Sequence, residues 1–256
     1  MKFGLIIIGD EILSGKRADK HMARMIELLK ARGLKLAFAE YLGDDRDLIV
    51  TTFRRTFAMA AGGDWCVFSC GGIGATPDDH TRQAAALALG VPLESHPLAE
   101  KEIRARAVAM NWELTAQRLA MGEFPQGSQI IPNPYNRIAG FAIAHHWFVP
   151  GFPVMAWPMA EWVLDTHYEK HFDHAPYLEK SIFVFELGES QLIDMMVEAE
   201  KDASIKTFSL PSVGDDKTPR HIELGAKGAP HAVEAALQRF IAAVEAQGGT
   251  WSTSLA

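Results

Sequence analysis

Trp65-Cys66-Val67-Phe68-Ser69-Cys70-Gly71-Gly72-Ile73-Gly74-Ala75-Thr76-Pro77-Asp78-Asp79-His80-Thr81 is the stretch on which the reading of this chain turns. Its first six residues form an apolar run without alternation, as expected of a strand buried on both faces. Gly71, Gly72 and Gly74 then interrupt it, and the acidic pair that follows predicts a helix starting near Asp78. A strand that runs through a glycine-rich loop into a helix is half of a parallel βαβ unit.

The N-terminal side repeats the pattern. Residues 3–9 are a short apolar run ended by Gly9-Asp10, which predicts a central strand. Residues 19–32 carry Met22, Met25, Ile26 and Leu29 at helical spacing, with Gly33 placed to stop the helix. Residues 34–42 read as a strand and 46–61 as a helix ended by Gly62-Gly63. Three strands alternating with helices predict an α/β class, a doubly wound and mostly parallel sheet.

On the C-terminal side, 98–121 read as a charged helix and 129–150 as short strands broken by Pro132, Pro134 and Gly140. A helix over 153–172 closes this domain. His174-Ala175-Pro176 reads as a boundary, so the domains are expected at 1–175 and 176–256. The second reads as strand 180–187, helix 190–201, strands 205–210 and 220–226, and helix 231–247, a small α+β module. In the last helix, Val233, Ala236, Leu237, Phe240, Ile241 and Val244 share one face.

Composition narrows the function. At 256 residues and 48% hydrophobic, the chain can bury full cores. A net charge of −7 argues against a duplex-binding surface, which needs clustered Lys and Arg; no nucleic-acid partner is expected. The two cysteines lie four apart on one strand, about 13 Å between Cα atoms, whereas a disulfide needs about 7 Å or less. The N-terminal apolar run is too short for a membrane span and lacks a small-residue cleavage site. A cytoplasmic protein with no membrane partner is therefore expected.

Two loops carry the chemistry. Gly9-Asp10-Glu11-Ile12-Leu13-Ser14-Gly15-Lys16 follows the first strand, and Gly71 to Thr81 follows the third. In a parallel sheet both fall at the carboxyl edge, where ligands bind. Glycines let the backbone approach a phosphate, and a helix start offers free N–H groups. Asp10, Glu11, Asp78 and Asp79 would repel a bare phosphate, so a divalent cation between protein and phosphate is implied. The plainer reading of the same residues is an N-cap at Asp78 or Asp79 and an ordinary turn at Asp10-Glu11. Neither loop fits a Walker A or GxGxxG pattern. His167, His171 and His174, near a helix end, read as a solvated terminus.

These stretches, with Asp19, Gly43-Asp44-Asp45, Leu114-Thr115, Ile131-Pro132-Asn133-Pro134, Ala139-Gly140-Phe141 and Pro150-Gly151-Phe152-Pro153, resemble the competence/damage-inducible protein A (CinA) family. More broadly they resemble the MoaB/Mog molybdopterin-binding domain. The resemblance runs through nearly all of residues 3–172, and Gly188-Glu189-Ser190 extends it into the small domain. It implies either metal-dependent hydrolysis of an ADP-ribose-like pyrophosphate or, as in Mog-type relatives, adenylylation of molybdopterin. Non-catalytic binding of molybdopterin or a nucleotide is the alternative. Asp44 and Asp79 match the acidic positions that handle metal and pyrophosphate. Gly9, Asp10, Glu11, Ser14, Gly15, Gly71, Gly72, Gly74, Thr76, Asp78, Thr81, Pro150 and Gly151 match the ligand- and phosphate-binding stretches. The cofactors implied are Mg, Mn or Co, with K, and the partner is a phosphorylated small molecule held by a homo-oligomer. The sequence departs from the family at Ala75, at Asn136 to Ala139, and at Met155, where typical members have a carboxylate.

Overall fold

Phe3, Leu5 and Ile7 of the first strand point to one side of a sheet, and Ile6 and Ile8 to the other; all five are buried. This two-sided burial defines the architecture, because a strand apolar on both faces needs helices on both. The computed structural model describes every residue except His174, Pro176, Lys217 and Ala256. It falls into two units, Met1–Asp173 and His174–Ala256. Two of the three residues of the expected boundary segment, His174 and Pro176, lie outside the described residues.

The first unit runs β1 (Lys2–Ile8), α1 (Asp10–Leu13), α2 (His21–Lys30), β2 (Leu36–Leu42), α3 (Arg46–Ala60), β3 (Trp65–Cys70) and α4 (Thr81–Leu89). It continues with β4 (Leu93–Ser95), α5 (Pro97–Ala109), α6 (Ala116–Ala120), β5 (Glu123–Pro125), β6 (Gln129–Ile131), β7 (Gly140–Ile143), β8 (His146–Val149) and α7 (Pro153–His167). The main sheet has the order β2-β1-β3-β8-β7-β6. The pairs β1–β2, β1–β3 and β3–β8 are parallel, and β7 is antiparallel to both its neighbours. Met25, Leu28 and Leu29 of α2 pack on one face with Met159, Val163 and Leu164 of α7. Ile49, Phe53 and Phe57 of α3 pack on the other with Ala84 and Ala85 of α4. The doubly wound, mostly parallel sheet expected from the sequence is the observed one.

The second unit runs β9 (Leu178–Phe185), α8 (Ile193–Ala199), β10 (Ile205–Ser212), β11 (His221–Gly228), α9 (Pro230–Ala246) and β12 (Thr250–Ser252). Its sheet is antiparallel, in the order β10-β11-β9-β12. The expected face of α9 is buried at Val233, Ala236, Leu237, Phe240 and Val244, against Ile182, Val184 and Leu224.

Several local expectations change. The helix expected near Asp78 begins at Thr81, because residues 76–79 close a turn of their own. The single helix expected over 98–121 is two, α5 and α6, parted where Asn111 takes a φ of 51°. His146 opens β8 and is fully buried. The strand pair β4–β5 and strand β12 were not anticipated. No helix among the described residues is long and apolar enough to cross a membrane.

Candidate functional site

The strands β1, β2, β3 and β8 run parallel, so the segments that follow them leave the same edge of the sheet. A cavity of about 420 Å³ opens there. Of the residues singled out in the sequence, Gly9, Glu11, Asp44, Gly71, Gly72, Gly74, Thr76, Asp78, Asp79, Pro150 and Gly151 line it. Asp10, Ser14, Gly15 and Thr81 do not line it.

Asp10 staples two loops together. Its N–H donates to Asp44 Oδ2 at 2.9 Å, and its own Oδ1 accepts from the Asp44 N–H at 3.1 Å. Ser14 and Gly15 follow the last turn of α1 and are exposed. Asp45 caps α3 by accepting from the Leu48 N–H at 2.9 Å. Asp19 accepts from the N–H groups of His21 and Met22 at the start of α2, and His21 Nε2 lies 3.0 Å from the Gly151 carbonyl oxygen.

The loop after β3 is organised by the start of α4. Thr81 Oγ1 donates to the Gly71 carbonyl at 2.9 Å, and the Thr81 N–H donates to the Gly72 carbonyl at 3.0 Å. Arg82, only 3% exposed, donates from Nη2 to the Gly74 carbonyl at 2.6 Å. In a trans peptide the carbonyl of one residue and the N–H of the next point in opposite directions. Holding these three carbonyls toward α4 therefore turns the N–H groups of Gly72, Ile73 and Ala75 away from it, and all three residues line the cavity. Among the described residues, the N–H groups of Gly72, Ile73, Gly74 and Ala75 donate to no protein acceptor. Successive free N–H groups of this kind form an anion-binding concavity.

Glycine is required twice here. Gly71 and Gly72 have φ of 107° and 67°. A Cβ at 71 would lie 2.2 Å from the Ile8 carbonyl oxygen, and one at 72 would lie 2.4 Å from Thr81 Oγ1. The glycine at 72 thus answers to backbone conformation and to the closeness of Thr81.

Beside the N–H row stand carboxylates. Burial raises the Asp44 carboxyl above its ordinary range, and the negative charges of Asp10, Glu11 and Asp78 raise it further, against the hydrogen bond from Asp10. Asp79 Oδ2 accepts from the Thr76 N–H at 2.8 Å and Oγ1 at 2.5 Å, closing the turn before α4. Among the described residues, no three His, Cys, Asp or Glu side chains converge as a metal site. His174 lies outside the described residues.

Arg17, Met121, Asn136, Ile138, Phe152 and Met155 complete the cavity. Asn136, Ile138, Phe152 and Met155 lie in stretches where the sequence follows or departs from the resembled family, whereas Arg17 and Met121 were not singled out. Asn136 donates from Nδ2 to Met155 Sδ at 3.2 Å and accepts from the Ile138 N–H at 2.9 Å, so its amide is pinned. The position of Arg17, two residues beyond Gly15, was the one local hint. Met121 reaches the site by tertiary packing, which no local pattern announces.

The fold and this edge define the class: a doubly wound α/β domain with a cavity at the carboxyl ends of the parallel strands, where ligands bind in such folds. A family described as "Probable molybdopterin binding domain" matches residues 4–170, and the chain belongs to that family. A CinA-like protein of Anaeromyxobacter sp. (strain K) is 32% identical over 169 residues, 64% of this chain and 40% of its own length. A protein of Saccharolobus islandicus (strain L.S.2.15 / Lassen #1) is 31% identical over 212 residues, 79% of this chain and 78% of its own length. The crystal structure of CinA from Thermoplasma acidophilum, a protein of unknown function, aligns with a TM-score of 0.57 at 25% identity, covering 65% of this chain and 98% of that one. The chain spans 39–48% of the length of the CinA-like relatives it matches.

Proposed function

We propose that the cavity binds the pyrophosphate of a nucleotide- or pterin-type ligand together with a divalent cation, and that it hydrolyses that pyrophosphate. The observation that carries this reading is the row of free N–H groups from Gly72 to Ala75 beside the unneutralised carboxylates around Asp44. Amides alone suit an anion and carboxylates alone suit a cation. Together they suit a phosphate that arrives with its metal.

The donor set fits such a cation. Asp44 and Asp79 each commit one carboxylate oxygen to loop N–H groups and keep the other free. Mg²⁺ is commonly held by one or two carboxylates plus phosphate oxygens, so a preformed cage of three protein ligands is not required. Asp44 and Asp79 would hold it; once bound, it would neutralise phosphate charge and acidify a water.

The chain's own residues do the rest. The N–H row stabilises charge that grows on the leaving phosphate. Glu11 is the carboxylate available to accept a proton from an attacking water. Met121, Ile138, Phe152 and Met155 give an apolar wall suited to an aromatic ring and to excluding bulk water.

Met155, at a position where typical members of the resembled family have a carboxylate, favours a second reading: binding of the pterin or nucleotide without hydrolysis. One experiment separates the two. The protein is incubated with ADP-ribose, FAD, NAD, ATP and a pterin, with and without Mg²⁺, Mn²⁺ or Co²⁺ and K⁺. Melting temperature and product release are followed together. Hydrolysis supports the first reading, stabilisation without product supports the second, and neither response overturns both.

A further inference from the structure

We infer that Arg17 reads a second anionic group on the ligand, so that the cavity selects a pyrophosphate over a monophosphate. The inference rests on the phosphate-binding reading above and adds to it the residue that sets the ligand's class.

Gly15 takes a φ of 72°, and no atom lies within 4 Å of where its Cβ would stand. This left-handed residue turns the chain back on α1, and the Arg17 N–H then donates to the Glu11 carbonyl at 2.9 Å. The turn brings Arg17 to the cavity from the β1 side, whereas the free N–H row enters from the β3 side. A ligand lying between them meets donors from two separate loops.

Charge makes the placement informative. Arg17 is the one Lys or Arg lining the cavity among the described residues, and Glu11, Asp44, Asp78 and Asp79 line it with Arg17. Even so, among the described residues Arg17 makes no ion pair and no side-chain hydrogen bond. Its guanidinium is left uncommitted in acidic surroundings. The free N–H groups of the β3 loop serve one phosphoryl group, and Arg17 supplies hydrogen-bond donors from the opposite loop for a second. A guanidinium does so in bidentate fashion, and an ammonium does not.

The test is calorimetric titration of the full chain with inorganic pyrophosphate and with orthophosphate, each with Mg²⁺. Wild type, Arg17→Gln and Arg17→Lys are compared after circular dichroism confirms that each is folded. The expected result is that Arg17→Gln weakens pyrophosphate binding by roughly tenfold and orthophosphate binding by less than about twofold, with Arg17→Lys between. Unchanged pyrophosphate affinity in Arg17→Gln overturns the inference and leaves phosphate binding intact. Equal loss for both ligands also overturns it, because Arg17 would then act as a general positive charge. A wild type that binds neither ligand overturns the phosphate reading itself, and the inference falls with it.

Discussion

The buried guanidinium of Arg82 donates to the carbonyl of Gly74, eight residues earlier, at 2.6 Å. The same group also donates to the carbonyls of Ala120 and Glu123. Arg82 therefore ties the β3 loop to the segment between α6 and β5. By fixing the Gly74 carbonyl it fixes the direction of the Ala75 N–H. Arg82→Met keeps the apolar stem and removes the donors. Leaving several carbonyls without a charged donor is expected to cost about 2–3 kcal/mol, read as a lower urea midpoint. Affinity for pyrophosphate with Mg²⁺ should fall as well, because the Ala75 N–H loses its orientation. A variant with wild-type stability and affinity would show that the loop holds its shape without Arg82.

Asp44 links stability to the site in the opposite sense. Its carboxyl lies above the ordinary value of 3.8 because burial and three neighbouring negative charges disfavour ionisation. An acid raised in the folded state contributes most at low pH, and that contribution is lost as pH rises from about 3.8 through the raised value. At pH 7 the ionised group is therefore a cost. Asp44→Asn, which can still accept from the Asp10 N–H, should raise the melting temperature of the metal-free protein at pH 7. The gain should be below about 1 kcal/mol, given partial exposure, and should vanish near pH 3. Mg²⁺ should stabilise wild type and not the variant. Thermal melts across pH with and without Mg²⁺ check all three points.

Much of the fold was legible because β1 and β3 are apolar on both sides and end in glycine. Five of the β1 residues lie in two cores on opposite faces of one sheet. The start of α4 was misplaced because Asp79 bonds back to Thr76 and gives the backbone an alternative to the helix, a competition that spacing does not resolve. β12 escaped notice because Thr250-Trp251-Ser252 is too short and polar to carry a pattern of its own. The two glycine-rich loops were recognisable locally. Arg82 was not, since it also touches Ala120 and Glu123, chain segments tens of residues away.

His146 should make the protein acid-sensitive. It is fully buried, with Nδ1 2.9 Å from the Ala144 carbonyl oxygen and Nε2 2.9 Å from Thr56 Oγ1. A carbonyl can only accept, so in the neutral ring Nδ1 carries the proton and Thr56 donates to Nε2. Burial pushes the imidazole down to about 4 from 6.5. A base depressed in the folded state contributes fully above 6.5, and that contribution is lost as pH falls toward 4. At about 1.4 kcal/mol per pH unit, wild type should lose on the order of 2 kcal/mol between pH 6.5 and 5. His146→Gln should lose much less over the same interval, whatever its stability at pH 7. Equal pH slopes for the two proteins in urea titrations would mean that another group titrates.

Asp79 has two candidate roles, and the geometry separates them. Its Oδ2 accepts from the Thr76 N–H and hydroxyl, which closes the turn before α4. A Cβ on Gly74 would lie 2.5 Å from that same oxygen, so the turn is packed tightly against the N–H row. An amide oxygen can replace a carboxylate oxygen as the acceptor. Asp79→Asn should therefore keep the turn, and its melting temperature should stay close to wild type. Asp79→Ala removes the acceptor and should cost about 1 kcal/mol, in line with the loss of a cap. The free Oδ1 is what the metal would need, and its charge disappears in both variants. If Asp79 holds a cation against the pyrophosphate, Asp79→Asn should lose activity by roughly a hundredfold, about 2.7 kcal/mol of barrier, with its fold intact. Equal hydrolysis by wild type and Asp79→Asn would confine Asp79 to closing the turn and leave Asp44 to hold the cation. A wild type that stabilises with ADP-ribose and Mg²⁺ yet releases no product would remove hydrolysis altogether. The free N–H row and the apolar wall at Met155 would then belong to a binding protein.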